Sequence, residues 1–393
     1  MNFEFSEEHE RFRAEVRGFL NRTLTPEFWQ RHEALGGGSS SPEFSRAAAN
    51  EGWLAIAWPA EYGGRGLSYI EQMIYMEEMT LAGAPIEHHR RAVQQVGPSI
   101  MLFGSDEQKR HFLPRIASGE ISFAMGLSEP NAGSDLASVT TSAVRSGDDW
   151  IVNGRKRFTS GAHFSDYLWT VTRTDPEAPK HRGISMLVVP LKAQGVRVQP
   201  LIDMQGRHHF NEVFLEDVRV PTANLIGEEN RGWYVNAATM DFERSGISRF
   251  AFLRRTLDRA LTEAAAMPAI RRSPGGFAAQ RERLAAAAIR AEVGKNLAYR
   301  VTALQSAGAM PNYQVSIAKL TITETIQQVC NAGVNLNGMY GLLSQETQTG
   351  DEGSPTLEWG PLYLDAVRHT IGQGAAEIQR NVVANRGLGL PRG

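Results

Sequence analysis

Three stretches of the 393-residue sequence gather residue types able to do chemistry. In GLSEPNAGSD (126–135), Gly133 and Ser134 can turn backbone N–H groups and a hydroxyl toward an anionic or carbonyl oxygen. An ordinary polar turn has the same composition. In WIVNGRKRFTSGAHF (150–164), Phe158 stands beside the hydroxyls of Thr159 and Ser160. An aromatic face with polar neighbours suits a flat heteroaromatic ring, and it serves equally as plain core. In TIGQGAAEIQR (370–380), a loop of small residues opens onto a helix, so a ligand can approach the backbone closely.

A fourth stretch, MDFERSGIS (240–248), carries an isolated acid. On a helix, the i±3 and i±4 neighbours of Glu243 are Thr239, Met240, Gly246 and Ile247. No cation is among them. Buried on such a face, the carboxyl would titrate high and could work as a general base. A solvent-facing glutamate fits the same text equally well.

The elements that must hold these residues follow from the hydrophobic period. Phe12, Val16, Phe19 and Leu20 fall at helical spacing behind Ser6, an N-cap followed by Glu7 and Glu8. A flexible GGGSSSP loop (36–42) comes next, and more helical text, including 70–81 and 108–116, runs to about residue 119. Between 121 and 221 the text changes to short β-rich runs at 138–144, 150–152, 167–172, 184–189 and 213–218. Turn signals at Gly147-Asp148-Asp149, Asn153-Gly154 and Asp175-Pro176 separate them, and Asn153-Gly154 is predicted to make a tight hairpin. From 232 to 384 long Ala-rich segments, such as 278–307 and 316–328, predict bundle helices, interrupted by an insertion-like loop at 341–360. The expectation is an α+β multidomain chain: an N-terminal helical domain (1–120), a middle β-barrel or sandwich domain (121–231) and a C-terminal four-helix-bundle domain (232–393).

Taken together, FAMGLSEPNAGSDLAS, NGRKRFTSGAH and NEVFLEDVRVPTANLIGEENRGW resemble the acyl-CoA dehydrogenase family of flavoproteins. GWLAIAWPAEYGGRGLS, GSDEQKRHFLPRIASGE and GQGAAEIQR extend the likeness over nearly the whole chain. The resemblance implies FAD against the β domain, with Met125, Leu127 and Ser128 lining the flavin ring and Phe158 and Ser160 at its other edge. Phe158 stands where the family more often has tryptophan, which keeps the aromatic surface and loses an N–H donor. Ala375 and Glu377 complete the implied cofactor contacts. Ser134, Asp241 and Arg244 would face the acyl-CoA; for the last two, ordinary helix-surface charge is the alternative.

The implied reaction removes the α-proton of an acyl thioester while hydride leaves Cβ, giving a trans-2-enoyl-CoA. It needs a carboxylate base and donors on the thioester oxygen. Gln373 occupies the commonest position of the family base, and an amide cannot take that proton usefully. A minority of the family carries its base in a Glu-Arg pair matching Glu243-Arg244, so the resemblance makes Glu243 the candidate. It leaves Gln373 a main-chain role, its N–H donating to the thioester carbonyl together with a flavin ribityl hydroxyl.

Two FAD-binding segments that a neighbouring subunit usually supplies depart from the family pattern. IRRSPGGFAAQ (270–280) replaces an Arg-x-x-Phe-Gly segment, with Arg271 or Arg272 as substitutes, and NLNGMYG (335–341) replaces Gln-x-x-Gly-Gly-x-Gly. Similar degeneracy occurs in bacterial steroid-side-chain dehydrogenases built from two different chains. The implied partners are therefore an acyl-CoA, an electron-transfer flavoprotein as acceptor, and either further copies of this chain, as homo-tetramer or dimer, or a paralogous chain in a hetero-tetramer. A flavin-dependent monooxygenase or oxidase on the same fold, and a non-catalytic subunit, are the rival readings.

Bulk properties agree. Lys and Arg total 41 against 43 Asp and Glu, which gives no reason to expect nucleic acid or an anionic membrane. The single cysteine, Cys330, excludes an internal disulfide and reads as core. No apolar run approaches the roughly 18 residues of a membrane span, and the early acids of MNFEFSEEHERF, with no apolar h-region, are not expected to form a targeting peptide. The expected compartment is the cytoplasm. The pairs His88-His89 and His208-His209 are predicted not to chelate a metal, and Arg254, Arg255, Arg259, Arg281, Arg283 and Arg290 mostly to lie on solvated helix faces.

Overall fold

The computed structural model describes residues 4–241, 246–266, 276–342 and 359–391. The chain forms two compact units. One comprises Met1–Val16, Tyr69–Ala82 and Ser245–Gly393, the other Arg17–Ser68 and Gly83–Arg244.

Seven helices fill the first third: α1 (Glu7–Thr23), α2 (Pro26–Ala34), α3 (Pro42–Asn50), α4 (Tyr69–Leu81), α5 (Glu87–Arg91), α6 (Gly97–Phe103) and α7 (Asp106–Ala117). Their starts are written in the sequence. The Ser6 hydroxyl accepts the His9 N–H at 3.3 Å. Thr25 and Ser41 cap helices that have proline in the first turn, and Ser105 makes a reciprocal capping box with Gln108. The GGGSSSP stretch is thus more than a linker, because its Ser41 begins α3. Within the second unit, Phe19, Phe44 and Trp53 make ring contacts in the core, and the buried Trp58 donates its indole N–H to the Val93 carbonyl at 2.9 Å.

The β segment forms one sheet, with strands β1 (Phe123–Gly126), β2 (Ser142–Ser146), β3 (Asp149–Lys156), β4 (Tyr167–Arg173), β5 (Ile184–Pro190), β6 (Val196–Leu201), β7 (Phe210–Pro221) and β8 (Leu225–Ile226). The order is β6-β7-β3-β2-β4-β5-β8, with β1 added parallel to β4. The sheet does not close into the expected barrel: among the described residues β6 pairs only with β7 and β8 only with β5, so the path ends at both. Trp150, Val152, Leu168, Leu187, Val189, Val213, Leu215 and Val218 form its core cluster.

The predicted hairpin at Asn153-Gly154 is not there. The chain turns at Gly147-Asp148 and runs straight through Asn153 as β3, with a bulge between Val152 and Gly154. Asn153 secures the bulge by exchanging two hydrogen bonds with Asp217, at 3.0 and 2.8 Å. Gly154 has φ 154°, and an added Cβ would sit 2.5 Å from the Thr141 hydroxyl oxygen. The glycine marks close packing of two strands rather than a reversal.

The C-terminal part is helical: α8 (Gly232–Asp241), α9 (Ile247–Ala266), α10 (Gly276–Ser306), α11 (Tyr313–Asn337), α12 (Trp359–His369) and α13 (Ala376–Val382). Helices α9, α10 and α11 pack on one another, and α4 packs on α9 and α10, so one helix of this bundle comes from the N-terminal third. α4 brings Glu77 and Glu78, both buried; Arg13 donates to them at 2.9 and 2.6 Å, and the Tyr299 hydroxyl donates to Glu77 at 3.0 Å. Buried acids need such partners, and here a cation and a phenol supply them. Cys330 is fully buried on α11. Among the described residues no helix is long and apolar enough to cross a membrane.

Candidate active site

On the sheet unit, two separate segments of sequence are fastened side by side. The backbone N–H of Arg157 donates to the Ser128 carbonyl at 2.8 Å, and the Thr170 hydroxyl holds the Gly126 carbonyl at 2.5 Å. Burial alternates along both segments. Ala124, Gly126, Glu129, Lys156 and Thr159 face inward, while Met125, Leu127, Ser128 and Ser160 are half-buried and Phe158 is 55% exposed. The structure therefore brings together the five residues Met125, Leu127, Ser128, Phe158 and Ser160. Phe158 has φ 57° and stands edge-on to Phe210. A backbone conformation unfavourable to a bulky residue, with the ring half exposed, is retained only where its surroundings impose it.

What imposes it was not visible in the sequence. Beneath the two segments Lys156 is fully buried, and its ammonium donates to the Glu129 carboxylate and to the Val171 carbonyl, each at 2.8 Å. Glu129 also accepts from the Thr140 N–H and hydroxyl, both at 2.8 Å, and from the Thr141 N–H at 3.0 Å. Burial disfavours the Glu129 charge, but the Lys156 charge, its hydrogen bond and the Thr donors outweigh it and hold the group at about 2. Burial pulls Lys156 down to about 8. A lysine at an inward position of a strand was the available signal.

Behind the Phe158–Ser160 turn, Asn211 exchanges backbone hydrogen bonds with Thr159 and its amide also donates to the Thr159 carbonyl at 3.0 Å. His208 and His163 stack at 4.0 Å and share that amide. His208 is thus a turn-building residue, and His89, on α5, is buried against Ser45 rather than on a strand. Upstream, the 129–132 turn closes by paired backbone bonds, Lys180 pairs with Asp135 at 2.8 Å, and Ser134 between them is exposed.

On the helical unit, the loop 370–375 joins α12 to α13. Gln373 is exposed with φ 57°, Ala375 is the N-cap of α13, and Glu377 lies exposed in its first turn. Lys319 of α11 reaches under the loop and donates to the carbonyls of Gly372 at 2.7 Å, Gln373 at 3.1 Å and Gly374. Sequence reading missed this lysine as well. Of the other candidates, Asp241 ends α8 with its side chain undescribed, and Glu243, Arg244, Arg271 and Arg272 lie outside the described residues.

The residues present fit a flavin. An exposed aromatic ring and two half-buried serines on neighbouring segments offer a flat apolar contact with polar groups beside it. Residues 6–120, 124–218 and 230–388 match the N-terminal, middle and C-terminal domains of acyl-CoA dehydrogenases. The chain belongs to the acyl-CoA dehydrogenase family. It is an FAD-dependent enzyme that oxidises the Cα–Cβ bond of an acyl-CoA thioester. It is 36% identical to the acyl-CoA dehydrogenase FadE26 of Mycobacterium tuberculosis (strain ATCC 25618 / H37Rv), over 100% of this chain and 99% of that one. Two solved structures are similar over 100% of both chains: the Tcur3481-Tcur3483 steroid ACAD (TM-score 0.88, 33% identity) and the ChsE4-ChsE5 complex from Mycobacterium tuberculosis (TM-score 0.86, 35% identity).

Proposed function

We propose that this dehydrogenase takes the α-proton with Glu243, steadies the thioester oxygen with the main-chain N–H of Gln373, and acts on acyl-CoAs whose acyl group is a steroid side chain. The observation that carries this reading is Gln373 itself. Its side chain is an amide and cannot serve as base, yet its backbone is kept in a left-handed conformation that a purely structural loop would leave to glycine. The loop retains a main-chain function, and the base lies elsewhere. Glu243, in a segment without a helical cation partner, supplies it.

Bound FAD supplies the hydride acceptor. The chain's own groups would hold it: on the sheet unit Phe158, the Met125–Ser128 segment and Ser160 would contact the cofactor, and on the helical unit Ala375 and Glu377 are the further candidate contacts. Ser134, Asp241 and Arg244 orient the CoA. Charge developing on the thioester oxygen meets a fixed N–H donor, which stabilises the transition state more than the ground state.

The steroid side chain and a paralogous partner chain are supported by the similarity to the Tcur3481-Tcur3483 steroid ACAD and to the ChsE4-ChsE5 complex, each named for two chains. The altered 335–341 segment, Asn-Leu-Asn-Gly-Met-Tyr-Gly, agrees with FAD being completed by a different subunit. An electron-transfer flavoprotein is the proposed acceptor, and the cytoplasm the proposed location. The test is anaerobic bleaching of the flavin by straight, branched and steroidal acyl-CoAs, with and without candidate paralogues. Preferential bleaching by a steroidal thioester supports the substrate, and full flavin and turnover in the lone chain would remove the need for a partner.

A further inference from the structure

Helix α11 presents a line of polar side chains to the loop before α13. The Ser316 hydroxyl donates to the Gln379 side-chain oxygen at 2.7 Å, and the Gln379 amide donates to the Gly374 carbonyl at 3.3 Å. One turn on, Lys319 gathers the carbonyls of Gly372, Gln373 and Gly374. Two turns further, Gln327 donates to the Thr370 hydroxyl at 3.1 Å. Lys319 is only 5% exposed, and its ammonium donates to backbone carbonyls. Its three ammonium donors go to three consecutive carbonyls.

This arrangement fixes directions. A trans peptide is planar, with its C=O and N–H pointing opposite ways. The carbonyl of Gly372 belongs to the same peptide as the N–H of Gln373. Aiming that oxygen at the Lys319 ammonium therefore aims the Gln373 N–H away from α11. The Gln373 and Gly374 carbonyls do the same for the N–H groups of Gly374 and Ala375. Fixing the peptides on both sides of Gln373 also sets its φ and ψ, which explains how a non-glycine residue is kept at φ 57°.

We propose that Lys319 is a positioning residue for the dehydrogenation: by gathering these three carbonyls it holds Gln373 left-handed and directs the 373–375 N–H groups outward as the cradle for the thioester oxygen. The inference rests on the reading of Gln373 given above, and it adds the group that enforces the geometry. A buried ammonium is costly to keep unless it is fully bonded. Burial, followed by the charge of Arg249, already pulls Lys319 down to about 7. A methionine would fill the same space without that cost, but it could not turn the loop.

The test compares Lys319→Met and Lys319→Arg with the parent in two readouts. The first is amide hydrogen exchange at 373–375 in the protein without acyl-CoA. The second is the thioester carbonyl stretch of bound enoyl-CoA, with kcat and KM measured alongside. We expect Lys319→Met to exchange faster at 373–375, to return the carbonyl stretch toward its value in water, and to lose roughly 10- to 100-fold in kcat with little change in KM. Lys319→Arg, which keeps the charge and folds under the same constraint, should fall between. Unchanged exchange at 373–375 in Lys319→Met overturns the positioning role whatever the activity. Faster exchange with an unmoved carbonyl stretch and kcat would leave Lys319 holding the loop but remove Gln373 as donor, sinking the functional reading and this inference with it.

Discussion

The N–H of Arg157 donates to the carbonyl of Ser128 at 2.8 Å, joining two segments that lie almost thirty residues apart in sequence. Directly beneath that bond, Lys156 and Glu129 repeat the connection with charges. The surface proposed to hold the flavin is therefore built on a buried ion pair, and its integrity can be tested there first.

Lys156 has no exposed surface and the Glu129 side chain is 5% exposed. Removing one partner strands the other in the interior, at a cost of about 3–5 kcal/mol. We expect Lys156→Met to unfold at much lower urea concentration than the parent and to bind FAD weakly. The double variant Lys156→Met/Glu129→Leu should recover much of the stability without recovering FAD affinity, as read by urea titration and flavin fluorescence.

Acid should attack the same unit in two steps. Burial keeps His89 neutral in the fold, at about 3 against an ordinary 6.5. The unfolded chain then binds the extra proton between those values, so stability falls as pH drops from about 6.5 toward 3. Glu129 is held at about 2 against an ordinary 4.5, so its contribution is present above 4.5 and is lost as pH falls toward 2. Tm measured from pH 7 to 3 should decline through both windows. His89→Phe should flatten the upper one and Glu129→Gln the lower.

Glu243→Gln should keep FAD and lose roughly 10²- to 10⁴-fold in turnover, the loss expected when a general base is removed. Gln373→Ala, which keeps the main-chain N–H, should cost less. Stopped-flow flavin reduction measures both, and a larger loss at Gln373 would reverse the assignment.

Phe158→Trp should retain FAD, while Phe158→Ala should raise its dissociation constant by roughly 3- to 10-fold, since only the aromatic contact is lost. Titration of the apoprotein with FAD decides between them.

Gly154→Ala places a Cβ 2.5 Å from the Thr141 hydroxyl oxygen and 2.7 Å from the Thr141 Cα. Backbone must shift, so a loss of about 1–3 kcal/mol is expected in thermal unfolding. A neutral effect would show that the bulge tolerates a side chain.

These residues also show what could be seen before the fold was known. Helix starts were legible because capping is local: Ser6 needs only His9. The β character of 121–221 was legible because composition and alternation are local too. Asn153-Gly154 misled because the same dipeptide serves a turn or a bulge, and only Asp217, 64 residues on, decides which. The partnerships of Lys156 with Glu129 and of Lys319 with the 372–374 carbonyls were hidden for the same reason. They join residues 27 and more than 50 positions apart, and a single sequence carries no signal of such contacts. The open sheet was equally unreadable, since strand composition does not state which edges meet.

The chain passes from one compact unit to the other four times, with Tyr69–Ala82 enclosed in sequence by segments of the other unit. Neither unit is an uninterrupted stretch. As the protein leaves the ribosome, α4 emerges with its apolar face and the acids Glu77 and Glu78 long before α9, α10 and α11 exist to cover them. The helical unit can assemble only when synthesis is nearly finished, whereas the sheet unit is complete at Arg244. Folding order is thus imposed by the threading of the chain: a single cut after Arg244 would leave the sheet unit whole, whereas no fragment cut at a single bond would carry the helical unit whole.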